Sequence, residues 1–371
     1  MVKDKTCAIP WKSLYIHSDG SVFPCCIVFK KLGNFNELKL ENAWNHPTML
    51  EIRKSHAQGL EYPGCKSCWN REDKGLSSRR NSFQLDLKEA GLTTHFETSS
   101  HASLEDIVHF DISFGNQCNL NCAFCSPDKS SKWEQLVNDL PSESTFDFYR
   151  DRAKNISSIN SQRLIDSILM LPSLSILEIK GGEPFFAKAH QSLLEKLISA
   201  NRAKNISLWY SSNLTILPEY LFELLPHFKS VHISISLDGV GEVQEKIRGK
   251  KASFDDVILP NVNKIRMLPN LSLSTHTTVC AYNFIHLESM LEYLHSSKVS
   301  LRSNAFGLVR KPAFLSPFAL SQHSVKSKLL EFKNSSFKKL RKFAQNINLE
   351  DFSEETDPEF LSFNQYWSSV N

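Results

Sequence analysis

From Ile107 onward the chain alternates between two kinds of apolar pattern. The short segments Ile107–Phe114, Leu174–Lys180, Ile206–Ser212, Val231–Leu237, Leu271–Val279 and Leu301–Leu308 predict strands. Between them, Gln162–Met170, Ala187–Ala200, Pro218–Leu225, Asp255–Met267 and His286–His295 carry apolar residues at helical spacing. Six strands joined in series by helices predict a parallel sheet with helices outside, either open and twisted or closed into a partial barrel over 106–310.

Parity within the strands says more than their existence. Val231, Ile233, Ile235 and Leu237 alternate with His232, Ser234, Ser236 and Asp238. Leu271–Cys280 places Ser272, Ser274, His276, Thr278 and Cys280 on one face, and Ile107–Phe114 does the same with His109, Asp111 and Ser113. A parallel sheet buried on both faces reads as nearly continuous apolar runs. One polar face instead predicts a curved sheet that lines a solvated cavity for a polar ligand.

Before this region, residues 1–69 read as a small unit. Asp19-Gly20 between Ser13–Ser18 and Ser21–Cys25 signals a hairpin, and a helical stretch follows over Asn42–Gln58. Residues 70–105 read as a polar linker with one short helix. After the barrel, 311–371 reads as a helical extension, with helical patterns over Leu320–Gln345. Its basic run Lys326–Lys342 reads as a solvated face, and Glu350–Glu359 as a solvated acidic tail. The long polar connection Ser126–Ile159 is either a lid or an ordered insertion.

Composition narrows the possibilities. A formal charge of +3 over 371 residues gives no electrostatic case for nucleic acid or an anionic membrane. No apolar run approaches the roughly 20 residues that cross a bilayer, and Met1–Thr6 has no signal-like apolar core. The expected location is the cytoplasm. In a reducing compartment, nine clustered cysteines point to metal or redox chemistry rather than disulfides.

The densest cysteine group is Cys118, Cys122 and Cys125, directly after the first barrel strand. Three thiolates on one loop can hold three irons of a [4Fe–4S] cluster and leave the fourth open to an outside ligand; zinc would ask for a fourth protein ligand. This spacing, with Phe124 before the third cysteine, resembles the signature of radical S-adenosylmethionine (SAM) enzymes. So does Gly181-Gly182-Glu183-Pro184 at the end of the second strand, which in that family binds the amino group of SAM. Glycines admit close backbone approach, and a carboxylate suits an ammonium group. Ser212 and Asn213 end the third strand and Ser236 and Asp238 the fourth, and these resemble family segments around the SAM ribose and carboxylate; Ile247-Arg248-Gly249 resembles a turn that many members carry after the fourth strand, which makes Arg248 a further candidate for cofactor binding.

The resemblance implies a partial (β/α)6 TIM-like barrel, a SAM-binding [4Fe–4S] cluster, SAM as cosubstrate and an external one-electron reductant. It also implies a 5′-deoxyadenosyl radical that takes a hydrogen atom from the substrate. In the amino-terminal Cys-rich unit, Cys7, Gly20 and Cys25 followed by Cys65 and Cys68 resemble the twitch/SPASM modules that carry auxiliary [4Fe–4S] clusters, here placed before the barrel. A zinc ribbon on the same four cysteines stays open, as does the choice between Cys25 and Cys26. The expected substrate is a peptide or a small polar metabolite, modified oxidatively or by cross-linking. Alternatives are an epimerase or dehydrogenase that uses Cys280 as hydrogen donor or the auxiliary cluster, with His276 as a candidate proton acceptor, and a zinc-binding interaction protein on an inactive barrel.

Overall fold

The computed structural model describes residues 6–93, 100–154, 156–297 and 304–370. Six strands run parallel in sequence order: β4 (His109–Ile112), β5 (Ile176–Ile179), β6 (Ser207–Ser212), β7 (Ser230–Ser236), β8 (Leu271–Val279) and β9 (Asn304–Leu308). The first three residues of the expected sixth strand, Leu301–Leu308, lie outside the described residues, as do 94–99 of the expected linker. The (β/α)6 architecture is as expected, an open partial barrel.

The predicted parity governs how it packs. In β7, Val231, Ile233 and Ile235 are buried toward the helices while His232, Ser234 and Ser236 are only half-buried. The outward residues meet apolar stripes such as Leu164, Ile165 and Ile168 of helix Ser161–Leu169, or Leu193, Leu194 and Leu197 of helix Lys188–Ser199. Each such side chain contributes about 1.5–3 kcal/mol over its exposed state.

The amino-terminal segment joins the same sheet. Strands β1 (Ser13–Ile16) and β2 (Ser21–Phe23) pair as a hairpin, and β3 (Gly33–Asn34) pairs with β2. Strand β1 then lies parallel to β4, with Ser13 opposite His109, so the sheet order is β3-β2-β1-β4-β5-β6-β7-β8-β9. The hairpin connection is His17–Gly20, longer than the Asp19-Gly20 signal suggests. The Asp19 carboxylate accepts from Ser21 N at 2.9 Å and bonds His17 Nδ1 at 3.0 Å, while Gly20 takes a φ of +77°. Helices Lys66–Asp73 and Arg79–Glu89 occupy the region expected as linker.

The described residues of the connection 126–159 include helices Ser131–Leu136 and Asp147–Ala153. They pack on a carboxy-terminal helix, Pro358–Val370, whose first two residues end the stretch expected as a solvated acidic tail. Trp133 stacks on Tyr149 at 4.2 Å and on Trp367 at 5.4 Å, and Trp367 Nε1 donates to Lys246 O. The acids Glu350, Glu354, Glu355 and Glu359 remain exposed. No helix among the described residues is long and apolar enough to cross a membrane.

Candidate functional site

Loops at the carboxyl ends of the parallel strands surround a cavity of about 720 Å³, the place where such folds hold ligands. Cys118, Cys122 and Cys125 line it, together with Phe124, Gly182, Glu183, Asn213, Ser236 and Arg248. Residues of five separate sequence segments thus share one cavity.

The glycines explain how the second segment fits. Gly181 and Gly182 have φ of +80° and +57°, a region that other L residues enter at a cost of about 1–2 kcal/mol. A Cβ on Gly182 would stand 2.3 Å from Gln117 O, and one on Gly181 would stand 2.1 Å from Ser113 Oγ. Gln117 O accepts from Glu183 N at 2.8 Å. The Gly-Gly turn is therefore docked against the residue preceding Cys118.

Glu183 is 1% exposed. Its Oε1 accepts from Ser212 Oγ at 2.7 Å and its Oε2 from Asn213 N at 2.7 Å. Burial nonetheless pushes its carboxyl up to about 7, against those hydrogen bonds. An ammonium group placed on it would favour the charged form. Pro184 starts the short turn that follows, and Phe185 N donates to Glu183 Oε1 at 3.3 Å. Ser212, expected as a ligand contact, points outward and holds Glu183, while its neighbour Ser211 lines the cavity. Strand alternation, read one residue earlier, carries that signal. Asn213 Nδ2 donates to Asn119 Oδ1 at 3.0 Å and ties the third strand to the cysteine loop.

Arg248 joins the fourth strand to the cysteines. Its Nε donates to Asp238 Oδ2 at 2.6 Å, its Nη1 lies 3.6 Å from Cys122 Sγ, and its guanidinium covers Phe124 at 5.7 Å. Asp238 is fully buried and also accepts from Thr278 N at 2.7 Å. Burial raises the Cys122 thiol, and Arg248 opposes that. Burial, then Cys122 and Cys125, push Cys118 up; burial, then Cys122, push Cys125 up to about 12, with Lys129 opposing. Three buried thiols ionise together only with cationic help, which iron supplies. Among the described residues no three Cys, His, Asp or Glu side chains converge on a single metal point. A multi-iron cluster, in which each cysteine takes a different iron, suits thiols spread around a cavity. The donor set and the buried Glu183 fit a cluster with SAM beside it.

His276 shares the inward face of β8 with Thr278, which lines the cavity. Cys280 does not reach it. That thiol is fully buried with Ile247, Ala281 and Leu315, and its N–H donates to Asn283 Oδ1 at 2.7 Å. His232 bonds Ser272 and Ser274, and His109 bonds Ser13 and Glu178, as structural histidines do.

On the same inward face, unforeseen from sequence, Lys180 Nζ bridges Asp111 Oδ2 at 2.7 Å and Glu178 Oε1 at 3.1 Å. Glu178 Oε2 also accepts from Arg79 at 2.8 Å. Burial opposes its charge, but Lys180 and Arg79 hold Glu178 well below the usual range, while burial pushes Asp111 up to about 7. Cys26 sits in the field of Lys180 and Arg79. The other amino-terminal thiols sense one another: beyond burial, Cys25, Cys65 and Cys68 raise Cys7, and Cys68 raises Cys65. Cys25 packs against the cluster that contains Cys7 and, beside Cys65, against a second one, whereas Cys26 has Lys180 and Arg79 as charged neighbours.

The raised Glu183 carboxyl sets a pH dependence. Its folded value of about 7 exceeds the ordinary 4.5. The stability it contributes is full below about 4.5 and is lost as the pH rises through about 7. In the cofactor-free chain, Glu183→Gln should flatten the fall of the urea midpoint over that window. An unchanged slope would assign the pH dependence elsewhere.

A family model described as the radical SAM superfamily matches residues 112–294. A second, SPASM, described as an iron-sulfur cluster-binding domain, matches residues 7–69. Fe-coproporphyrin III synthase of Methanosarcina barkeri is 28% identical over 139 residues, 38% of this chain and 29% of the relative. The sporulation killing factor maturation protein SkfB of Bacillus subtilis is 24% identical over 158 residues, 43% of this chain and 32% of the relative. The chain thus spans about a third of the length of these two relatives. A solved structure, native anSMEcpe with bound AdoMet, is 16% identical, with 66% of this chain and 62% of that chain covered at a TM-score of 0.44.

Proposed function

This chain belongs to the radical SAM superfamily, with an iron–sulfur cluster-binding domain ahead of its barrel, and from that premise we propose that it oxidatively modifies or cross-links a peptide. The observation that carries the reading is the convergence of Cys118, Cys122, Cys125, Glu183 and Arg248 on one cavity with polar strand walls. With the cluster and SAM bound, one-electron reduction supplies methionine and a 5′-deoxyadenosyl radical that takes a hydrogen atom from the substrate.

The chain's own residues have distinct tasks. The three thiolates hold the cluster, and Arg248 holds Cys122 while balancing Asp238. Glu183, fixed by Ser212 and Asn213, takes the ammonium end of SAM. Ser211, Asn213, Ser236 and Thr278 offer hydrogen-bonding groups around the remainder. Cys7, Cys25, Cys65 and Cys68 would hold the auxiliary cluster, which would supply a one-electron acceptor. The burial of Cys280 away from the cavity supports this oxidative route over hydrogen donation by that thiol. A relative that is a sporulation killing factor maturation protein supports a peptide substrate.

Anaerobic reconstitution tests the reading. About eight irons per chain are expected from two four-iron clusters, with 5′-deoxyadenosine formed on addition of SAM and dithionite. The Cys118→Ala, Cys122→Ala, Cys125→Ala variant should keep about half the iron and form none. Zinc without iron, or product from that variant, would sink the proposal.

A further inference from the structure

The charges around the cavity are unbalanced. Among the described residues that line it, Glu183 is the one acid, against Lys129, Arg152, Arg248, Arg310 and Lys311. Two of these cations have partners in hand: Arg248 pairs with Asp238, and Arg152 meets Asp128 at 3.4 Å. Lys129 stands on the cysteine loop itself, four residues after Cys125. Arg310 and Lys311 have neither a partner among the described residues nor a place on that loop. They follow β9 at its carboxyl end, are exposed, and make no ion pair among the described residues. Leu308 and Val309, just before them, supply apolar wall, as does Phe29 from the amino-terminal unit.

An exposed Arg-Lys pair on a convex surface is ordinarily a solvated feature. At the mouth of a concave site it focuses a positive potential inward and raises the local concentration of anions. The guanidinium also presents two parallel donors that match a carboxylate. We propose that the substrate brings a carboxylate to this rim and that Arg310 and Lys311 anchor it. The inference rests on the proposed function, whose reacting end it leaves to Glu183, Arg248 and the cysteines, and it names the substrate class: an acidic peptide or a small carboxylic acid.

Binding to the reconstituted, SAM-loaded protein tests it without turnover. By titration calorimetry at low ionic strength, a hexaglutamate peptide should bind about tenfold or more tightly than hexaglutamine, with added salt closing the gap. Arg310→Gln, Lys311→Gln should lose about tenfold of that affinity, whereas Lys326→Gln, Lys333→Gln, on helix Gln322–Asn334 away from the cavity, should lose less than about twofold. Competition by succinate points to the small acid as source, and its failure to compete points to the peptide; both keep the anchor. Equal affinity for the two peptides, or equal losses in the two double variants, overturns it. A chain that binds hexaglutamate as expected yet forms no 5′-deoxyadenosine would overturn the functional reading alone.

Discussion

In Gly182→Ala the rate of 5′-deoxyadenosine formation should fall by about 100-fold or more while the chain stays folded and keeps its iron. A Cβ at this position meets Gln117 O at 2.3 Å and Gln117 C at 3.0 Å. Those are backbone atoms, so no rotamer change relieves the clash. The φ of +57° adds its own penalty for alanine. Relief requires the turn and the cysteine loop to separate, and the bond from Glu183 N to Gln117 O at 2.8 Å is the contact that would yield. The carboxylate and the thiols would each remain, about an ångström out of register, and misplacement of that size commonly costs two orders of magnitude. Gly181→Ala should be damaging as well, because turning Ser113 moves its Oγ, at 2.1 Å from the added Cβ, but not its own Cβ, at 2.7 Å. A Gly182→Ala enzyme with normal rate and normal KM for SAM would show that the docking of turn on loop is immaterial.

How far the sequence discloses this site depends on the range over which each contact is encoded. Alternation within β7 is local, so the polar inward face of His232, Ser234 and Ser236 is legible residue by residue. The cysteine loop and the Gly-Gly turn are short motifs whose chemistry constrains their spacing. The same alternation places Ser211 inward and Ser212 outward, yet the motif, read as a block, drew attention to Ser212. Pairings across long stretches have no such local mark. Nothing near Ser13 announces that it will lie opposite His109, or that the hairpin extends the barrel sheet. Trp367 has no marked role in the sequence until Trp133 and Tyr149 are beside it, because only the folded insertion supplies its partners. The surroundings of Cys25 and Cys26 are of the same kind: two adjacent thiols diverge, Cys25 packing near Cys7 and Cys65 while Cys26 lies in the field of Lys180.

Arg248→Met should be the most damaging single change to both stability and turnover. The guanidinium is 7% exposed and Asp238 is fully buried. Removing one partner of a buried pair strands the other's charge, which costs about 3–5 kcal/mol. Asp238 would retain the bond from Thr278 N but lose its 2.6 Å partner. Turnover should fall with it, since the same guanidinium reaches Cys122 Sγ at 3.6 Å and favours its ionised form. The two effects separate in the double variant Asp238→Asn, Arg248→Met. An asparagine there can still accept from Thr278 N and carries no stranded charge, so the urea midpoint should recover most of its loss. Iron binding and 5′-deoxyadenosine formation should not recover, because Cys122 still lacks its cation. Equal stability of the single and double variants would mean that the penalty comes from lost packing around Phe124 rather than from the unpaired carboxylate. Recovery of turnover alongside stability would mean that Arg248 serves the cluster loop only by neutralising Asp238.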